Sequence, residues 1–199
     1  MAFWGTGLTA NDGDPKRKFR WRVSFGGVGG TDVVWFAKTV TRPEMTIADT
    51  EHKFYGHTFK YPGSVTWNDL EVELVDPVSP DAAKQTLDIF HRSGYRYPED
   101  AYKEPNGEGF KSMTKGSSVQ GLKTFEIKLL DGNGNPVETW NLHNAFLSKI
   151  SFDQLDYATD DLTTISLTVK YDWAKFTGAE GVENIFKPNG NYTPTSNGR

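Results

Sequence analysis

Glu71 and Glu73 stand two residues apart in the segment DLEVEL, and on a strand that spacing sends both carboxylates to one face, the arrangement used in two-carboxylate hydrolysis. No histidine or arginine recurs beside them in the pattern, so the plainer reading is a pair of acids on the solvent side of a strand. The four histidines, His52, His57, His91 and His143, are dispersed. His52 and His57 are five apart, which on one strand would put them on opposite faces and away from a shared metal. Asp131, Asn133 and Asn135 occupy the first, third and fifth places of a calcium loop. Pro136 then stands where that loop requires glycine, and Leu142 where it requires a bidentate acid, which leaves DGNGN as a hairpin turn.

The remaining chemical signals are weaker still. GTGLTA follows no strand and so does not open a dinucleotide site, and NYT at Asn191 is a glycosylation signal only in a secreted chain. There is no cysteine, which removes disulfides, thiolate nucleophiles and cysteine-based zinc sites, and suits synthesis in a reducing compartment. The residues point to no catalytic group, metal or cofactor. A non-enzymatic protein is expected.

What must position these residues is a set of strands. TTISLTVKYDW alternates Ile165, Leu167, Val169, Tyr171 and Trp173 against Thr164, Ser166, Thr168, Lys170 and Asp172, one face for a core and one polar face without a reactive group. KFRWRVSF alternates in the same way and, through GGVGGTD, leads into VVWFAKTV as an expected hairpin. Its rings and its cations fall on opposite faces, so bases could not stack where phosphates are neutralised, and a single-strand binder is disfavoured. SVTWNDLEVEL shifts phase at Asn68-Asp69, as a bulge would. Between them, TRPEMTIADTEHKFYGHTFKYPG has too few core residues for its length and reads as a long projecting hairpin or loop, with a polar turn around Ala48–Glu51. The one clear helix is SPDAAKQTLDIFHRSG, with Ser79 as expected N-cap, Pro80 in the first turn, Gly94 beyond the end, and Ala83, Leu87 and Phe90 as its buried stripe.

The totals agree with one domain. The chain has 199 residues, 14% aromatic and 20 glycines, which favours strands and turns over a helical bundle. A net charge of −4 gives no broad positive field for gripping nucleic acid. Neither a basic-then-apolar leader nor a run of about 18 apolar residues occurs, so no membrane anchoring is expected. The expected division is an N-terminal arm over 1–15, a β domain over 16–176 carrying an irregular insert over 95–120, and a polar tail over 177–199. The expected fold class is mainly β: an antiparallel β-sandwich or barrel with one packed α-helix.

Taken in order, RWRVSF, KTVTRPEMTIADTEHKFYGHTFKYPGSVTWNDLEVELVD, DAAKQTLDIFHRSG and WNLHNAFLSKISFDQLDYATDDLTTISLTVKYDW resemble the tail tube proteins of contractile-tailed bacteriophages, the family of the T4 tail tube subunit, related to pyocin and type VI secretion tubes. The resemblance spans Arg20 to Trp173 and leaves out the insert and the tail.

It implies a subunit that contributes strands to an oligomeric β-barrel, in hexameric rings stacked into a tube whose lumen conducts DNA. Implied partners are copies of itself, the tail sheath protein, baseplate and tail-terminator proteins, and a tape-measure protein and DNA in the lumen without specific binding. The implied location is the virion tail, assembled in the host cytoplasm. On this reading an inert polar face suits a channel lining, because a lining that bound phosphates would hold the DNA. Glu71, Glu73, Ser166, Thr168, Lys170 and Asp172 are the candidate lumen-facing residues. Ala48, Asp49, Thr50, Glu51, His52, Lys53 and Phe54 are the candidates for inter-ring stacking. The alternatives are a type VI secretion-like or baseplate-proximal tube protein and, from another class, a carbohydrate-binding β-sandwich using Trp35, Trp67 and Trp140. The place of those tryptophans on alternating apolar faces points instead to core packing.

Overall fold

A computed structural model describes residues 16–25, 37–101 and 112–178. The expected arm over 1–15, the tail from 179 onward and Trp35 lie outside the described residues. The strands are β1 (Trp21–Phe25), β2 (Ala37–Val40), β3 (Met45–Phe54), β4 (His57–Trp67), β5 (Leu70–Val75), β6 (Phe125–Leu130), β7 (Pro136–His143), β8 (Phe146–Phe152), β9 (Thr164–Lys170) and β10 (Trp173–Gly178). Three helices, α1 (Ala82–Arg92), α2 (Pro98–Ala101) and α3 (Lys115–Leu122), fall between β5 and β6.

Period-two alternation builds two antiparallel sheets. One has the order β1-β6-β7-β10 and the other β2-β5-β9-β8, while β3 and β4 pair only with each other. The core lies where the apolar faces meet: Val23, Phe25, Phe125, Ile127 and Leu142 from the first sheet, and Leu70, Val72, Leu74, Leu147, Ile165, Leu167 and Val169 from the second, all buried. Phe25 and Phe125 are register partners, and their rings stack with centroids 5.2 Å apart. Ala82 and Ile89 of α1 and Leu122 of α3 are buried in the same cluster. The mainly β, sandwich-type expectation with a packed helix is met.

Several local expectations are corrected. Trp21–Phe25 and Ala37–Val40 do not form a hairpin, since β1 pairs with β6 and β2 with β5 in the other sheet. The phase shift at Asn68-Asp69 is no bulge but the junction between β4, which belongs to the hairpin, and β5, which belongs to the sandwich. TTISLTVKYDW is likewise two strands: the chain leaves the second sheet after Lys170 and enters the first at Trp173. The corner is fixed by Asp172, whose N–H donates to the His143 carbonyl (3.0 Å) and whose carboxylate accepts from Asn144 and Lys115 (2.7 Å each).

The helical region is also redrawn. The N-cap of α1 is Asp81 rather than Ser79, because the extended Asp81 places its carboxylate on the Lys84 N–H (2.8 Å), and Ser79 and Pro80 belong to the preceding turn. The buried stripe is Ala82, Thr86 and Ile89, one position out of phase with the expected Ala83, Leu87 and Phe90; Leu87 is exposed. Within the supposedly irregular insert, Thr114 and Ser117 form a capping box that starts α3. α3 meets α1 closely at Gly121, where a Cβ would stand 2.5 Å from Ser93 Oγ and 3.0 Å from the Ile89 carbonyl oxygen.

Candidate assembly surfaces

The sheet β2-β5-β9-β8 buries one face and leaves the other polar. Glu71 stands opposite Thr168 and Glu73 opposite Ser166, so four of the lumen candidates share one face. β2 adds Thr39 opposite Glu73, and β8 adds Lys149 opposite Thr168 and Ser151 opposite Ser166. Lys170 lies at the end of the same face, 3.6 Å from Asp69. Asp172 does not join them: it sits at the corner between sheets, its carboxyl held below the usual range by the Lys115 and Asn144 hydrogen bonds.

This face mixes acidic and basic side chains, and its charges engage one another. Glu73 is held low first by the hydrogen bond from Lys38 (2.9 Å), then by the Lys38 charge and Thr39, so it stays ionised and engaged. Glu71 donates its backbone N–H to Thr41 Oγ1 (2.8 Å), which extends the β2–β5 ladder beyond Val40. Neither β2 nor β8 has a strand on its outer side among the described residues. Both edge strands carry register irregularities, at Ala37/Thr39 and at Leu147/Lys149.

The second surface is the β3–β4 hairpin. Every residue of β3 is exposed, and so is every residue of β4 except Trp67. The turn is at Tyr55–Gly56, where φ is 54° and 80°, and not around Ala48–Glu51 as expected. His52 therefore lies across from Phe59 and His57 across from Phe54, which places the two histidines on one face; the opposite-face expectation fails because they occupy different strands. The candidates Thr50, His52 and Phe54 share that face with Phe59 and Tyr61, whereas Asp49, Glu51 and Lys53 share the other with Lys60. Lys60 Nζ lies 3.4 Å from carboxylate oxygens of both Asp49 and Glu51. Ala48 meets the register shift, and Gly63 packs so close to it that a Cβ would stand 3.1 Å from the Ala48 carbonyl oxygen. Met45, Ile47, Phe54, Tyr55, Phe59, Tyr61 and Val65 are all exposed on the hairpin, large apolar and aromatic side chains of the kind that mark an interaction surface. Alternation within TIADTEHKFYGHTFKY hinted at this; its bulge hid the continuity.

Sequence reasoning missed Glu138. It is 4% exposed, yet Lys16 (2.6 Å) and Arg42 (3.5 Å) reach it from outside β7, and Trp140 donates its indole N–H to it. Burial pushes its carboxyl up, but the Lys16 and Trp140 hydrogen bonds and the two positive charges outweigh burial and hold it below the ordinary value. Trp140 also packs edge-on against Phe176, Trp67 packs at a tilt against Tyr171, and both indoles border the core rather than a sugar groove. Among the described residues no group of three or more His, Cys, Asp or Glu side chains is placed to hold a metal, and no helix is long and apolar enough to cross a membrane.

Among the described residues the fold is therefore two open four-stranded sheets, one with a polar outer face of mixed charge, and a projecting hairpin with exposed aromatic side chains. No family model matches the chain, and no curated protein matches it. Solved structures do. The fold is that of a chain in the baseplate of the anti-feeding prophage (TM-score 0.60, 15% identity, covering 83% of this chain and 97% of that one). It is also that of a chain in the tube-terminating cap of the same prophage (0.58, 17%, 87% and 100%). A chain in the sheath/tube terminator of the extracellular contractile injection system PVC is similar as well (0.56, 18%, 83% and 98%). The resemblance read from the sequence is thus met at the level of fold, which is the fold of contractile injection system components.

Proposed function

We propose that this chain is a structural subunit of a phage-type tail tube, joining hexameric rings that stack into a conduit for DNA. The observation that carries the reading is the order β2-β5-β9-β8, with no strand on the outer side of β2 or β8 among the described residues. Successive strands alternate in direction, so β8 of one copy beside β2 of the next is again antiparallel, and head-to-tail repetition continues one sheet. Closing that sheet removes the exposed edges. Its polar face, with Glu71, Glu73, Ser166, Thr168 and Lys170, then lines the lumen. Mixed charge leaves no field to retain phosphates.

Ala48–Phe54 and the rest of the hairpin reach from one ring to the next, where their aromatic side chains find cover. Sheath, baseplate, terminator and tape-measure proteins are the expected partners, in a virion tail built in the host cytoplasm. No step of this role is enzymatic. The test is electron microscopy of the purified chain at rising concentration. Stacked rings with six-fold end views are expected; a chain that stays monomeric at millimolar concentration overturns the proposal.

Structural neighbours in a baseplate and a cap favour a second reading, a subunit at an end of the tube. Such a subunit would give single rings or short stacks, and never long tubes, in the same images.

A further inference from the structure

The paired strands β2 and β5 run on into the β3–β4 hairpin as one ribbon. The rungs Val40–Val72 and Met45–Trp67 lie five residues apart on both strands, so the register is unbroken between them. Across that interval Thr41 donates its N–H to the Glu71 carbonyl, and Asn68 donates its N–H to the Glu44 carbonyl (2.9 Å each). β3 therefore continues the column of β2, and β4 the column of β5. The other two columns project from the opposite end of the sheet. Thr164 pairs with Val75 and Ile165 with both Leu74 and Phe152, whereas the hairpin leaves beyond Leu70 and its partner Val169. The loop 153–163, which joins β8 to β9, is exposed throughout, Leu155, Tyr157 and Leu162 included.

In a ring that repeats the order β2-β5-β9-β8, these placements leave slots. Between β4 of one copy and β3 of the next lie the columns of β9 and β8, a slot of three strand spacings, about 14 Å. The loop 153–163 projects from the far end of those same two columns and matches the slot in width. Stacking rings head-to-tail brings the loops of one over the slots of the other. Pro62 has no N–H, and the register shifts between Ile47 and Asp49, so neither hairpin edge offers an unbroken ladder and side chains make the contact.

We infer that the 153–163 loop of each copy seats between the hairpins of two adjacent copies in the neighbouring ring, as a tooth in a notch. The inference rests on the stacked-ring reading above and names what covers the hairpin. A loop arm of five residues reaches about 16 Å, half the length of β3, so the loop lies beside the distal half of each hairpin. Asp160 and Asp161, on the arm entering β9, then stand level with Thr58 and Lys60 of β4. Leu155 and Asp156, on the arm leaving β8, stand beside Lys53 of the next β3. Residues 153–163 hold four Asp and no Lys or Arg, whereas residues 52–60 hold Lys53, Lys60 and no acid. Lys60 already lies near Asp49 and Glu51, but Lys53 has no ion pair among the described residues. The exposed Leu155, Tyr157 and Leu162 likewise meet the exposed Phe54, Phe59 and Tyr61. At the floor of the slot, Lys115 offsets Asp172 and Lys170 offsets Asp69. Because tooth and notch leave opposite ends of one sheet, the fit works in one polarity only.

The chain has no cysteine, so engineered thiols report the contact cleanly. Thr58 and Asp161 are both exposed and stand at opposite ends of the sheet, out of reach of each other within one chain. Thr58→Cys and Asp161→Cys chains, mixed, assembled and mildly oxidised, should give a covalent dimer that neither gives alone, and the double variant a ladder of multimers. Replacing residues 154–162 with Asn-Gly should leave ring formation unchanged and raise the concentration needed for stacking at least about tenfold. Melting by circular dichroism checks that each variant folds, and the cross-link decides the matter should the shortened chain melt early. Stacks that form without the mixed cross-link, or that a well-folded shortened chain forms as readily as the wild type, overturn this inference alone. Thr58→Cys bonding to its own kind does the same, because hairpin would then meet hairpin. A wild type that never stacks overturns the inference together with the tube reading.

Discussion

Glu138 shows how one side chain joins distant parts of the chain. Its carboxylate is buried in β7, yet it binds Lys16 ahead of β1 and Arg42 after β2, so it ties both sheets at the open side of the sandwich. Its folded pKa is depressed, so the stability it supplies is present above the unfolded glutamate value of about 4.3 and is lost as pH falls through the folded value. Glu138→Gln should lower stability at pH 7 by about 1–2 kcal/mol, since charge-assisted bonds become neutral ones, and should flatten the fall of Tm between about pH 5 and pH 3. Thermal melts of both proteins across that range check it; parallel curves would remove the assigned role. Asp172 contributes by the same sign at the corner between sheets, but its exposed setting gives it less weight.

At the scale of elements, helices and hairpin differ in what they owe to the core. α3 meets α1 at Gly121, where any Cβ collides with backbone and Ser93. Gly121→Ala should cost about 1–3 kcal/mol, measured by denaturant unfolding, because the two helices must move apart. The hairpin supplies no buried side chain. Replacing residues 49–62 with a short Asn-Gly turn should therefore leave subunit stability within about 1 kcal/mol while abolishing long stacks in electron micrographs; stacks of normal length would remove the inter-ring role.

The same elements mark what was legible beforehand. Strands such as β5 and β9, with one buried face, declared themselves by strict alternation. α3 did not, because its signal is a Thr114–Ser117 cap and close approach at Gly121 rather than an apolar stripe. β1 and β2 read as a hairpin because adjacency in sequence is the default for strands, whereas here each pairs with a strand distant in the chain. The polar face was visible from Glu71, Glu73, Ser166 and Thr168. The Glu138 cluster was not, since its members are separated by up to 122 positions.

For the whole molecule, the proposed tube gives the polar face and the open edges separate tasks. Replacing Glu71 and Glu73 by Lys should leave ring formation intact, because side chains on a sheet face do not enter the edge ladder. Passage of DNA should slow, since the lining would then bind phosphates and release their counterions. Ejection kinetics in particles carrying the double variant check this, and unchanged kinetics would remove these residues from the lumen.

The strictly alternating directions of the four strands carry one more consequence. In the proposed ring, an even strand count would let every seam be identical whatever number of protomers meets, so topology would leave the circumference open. The bore would then be selected by the dihedral angle between neighbours. If β2 and β8 abut as proposed, their irregular rungs would set that angle, and the gauge of the pipe would be a property of a few edge residues rather than of the fold.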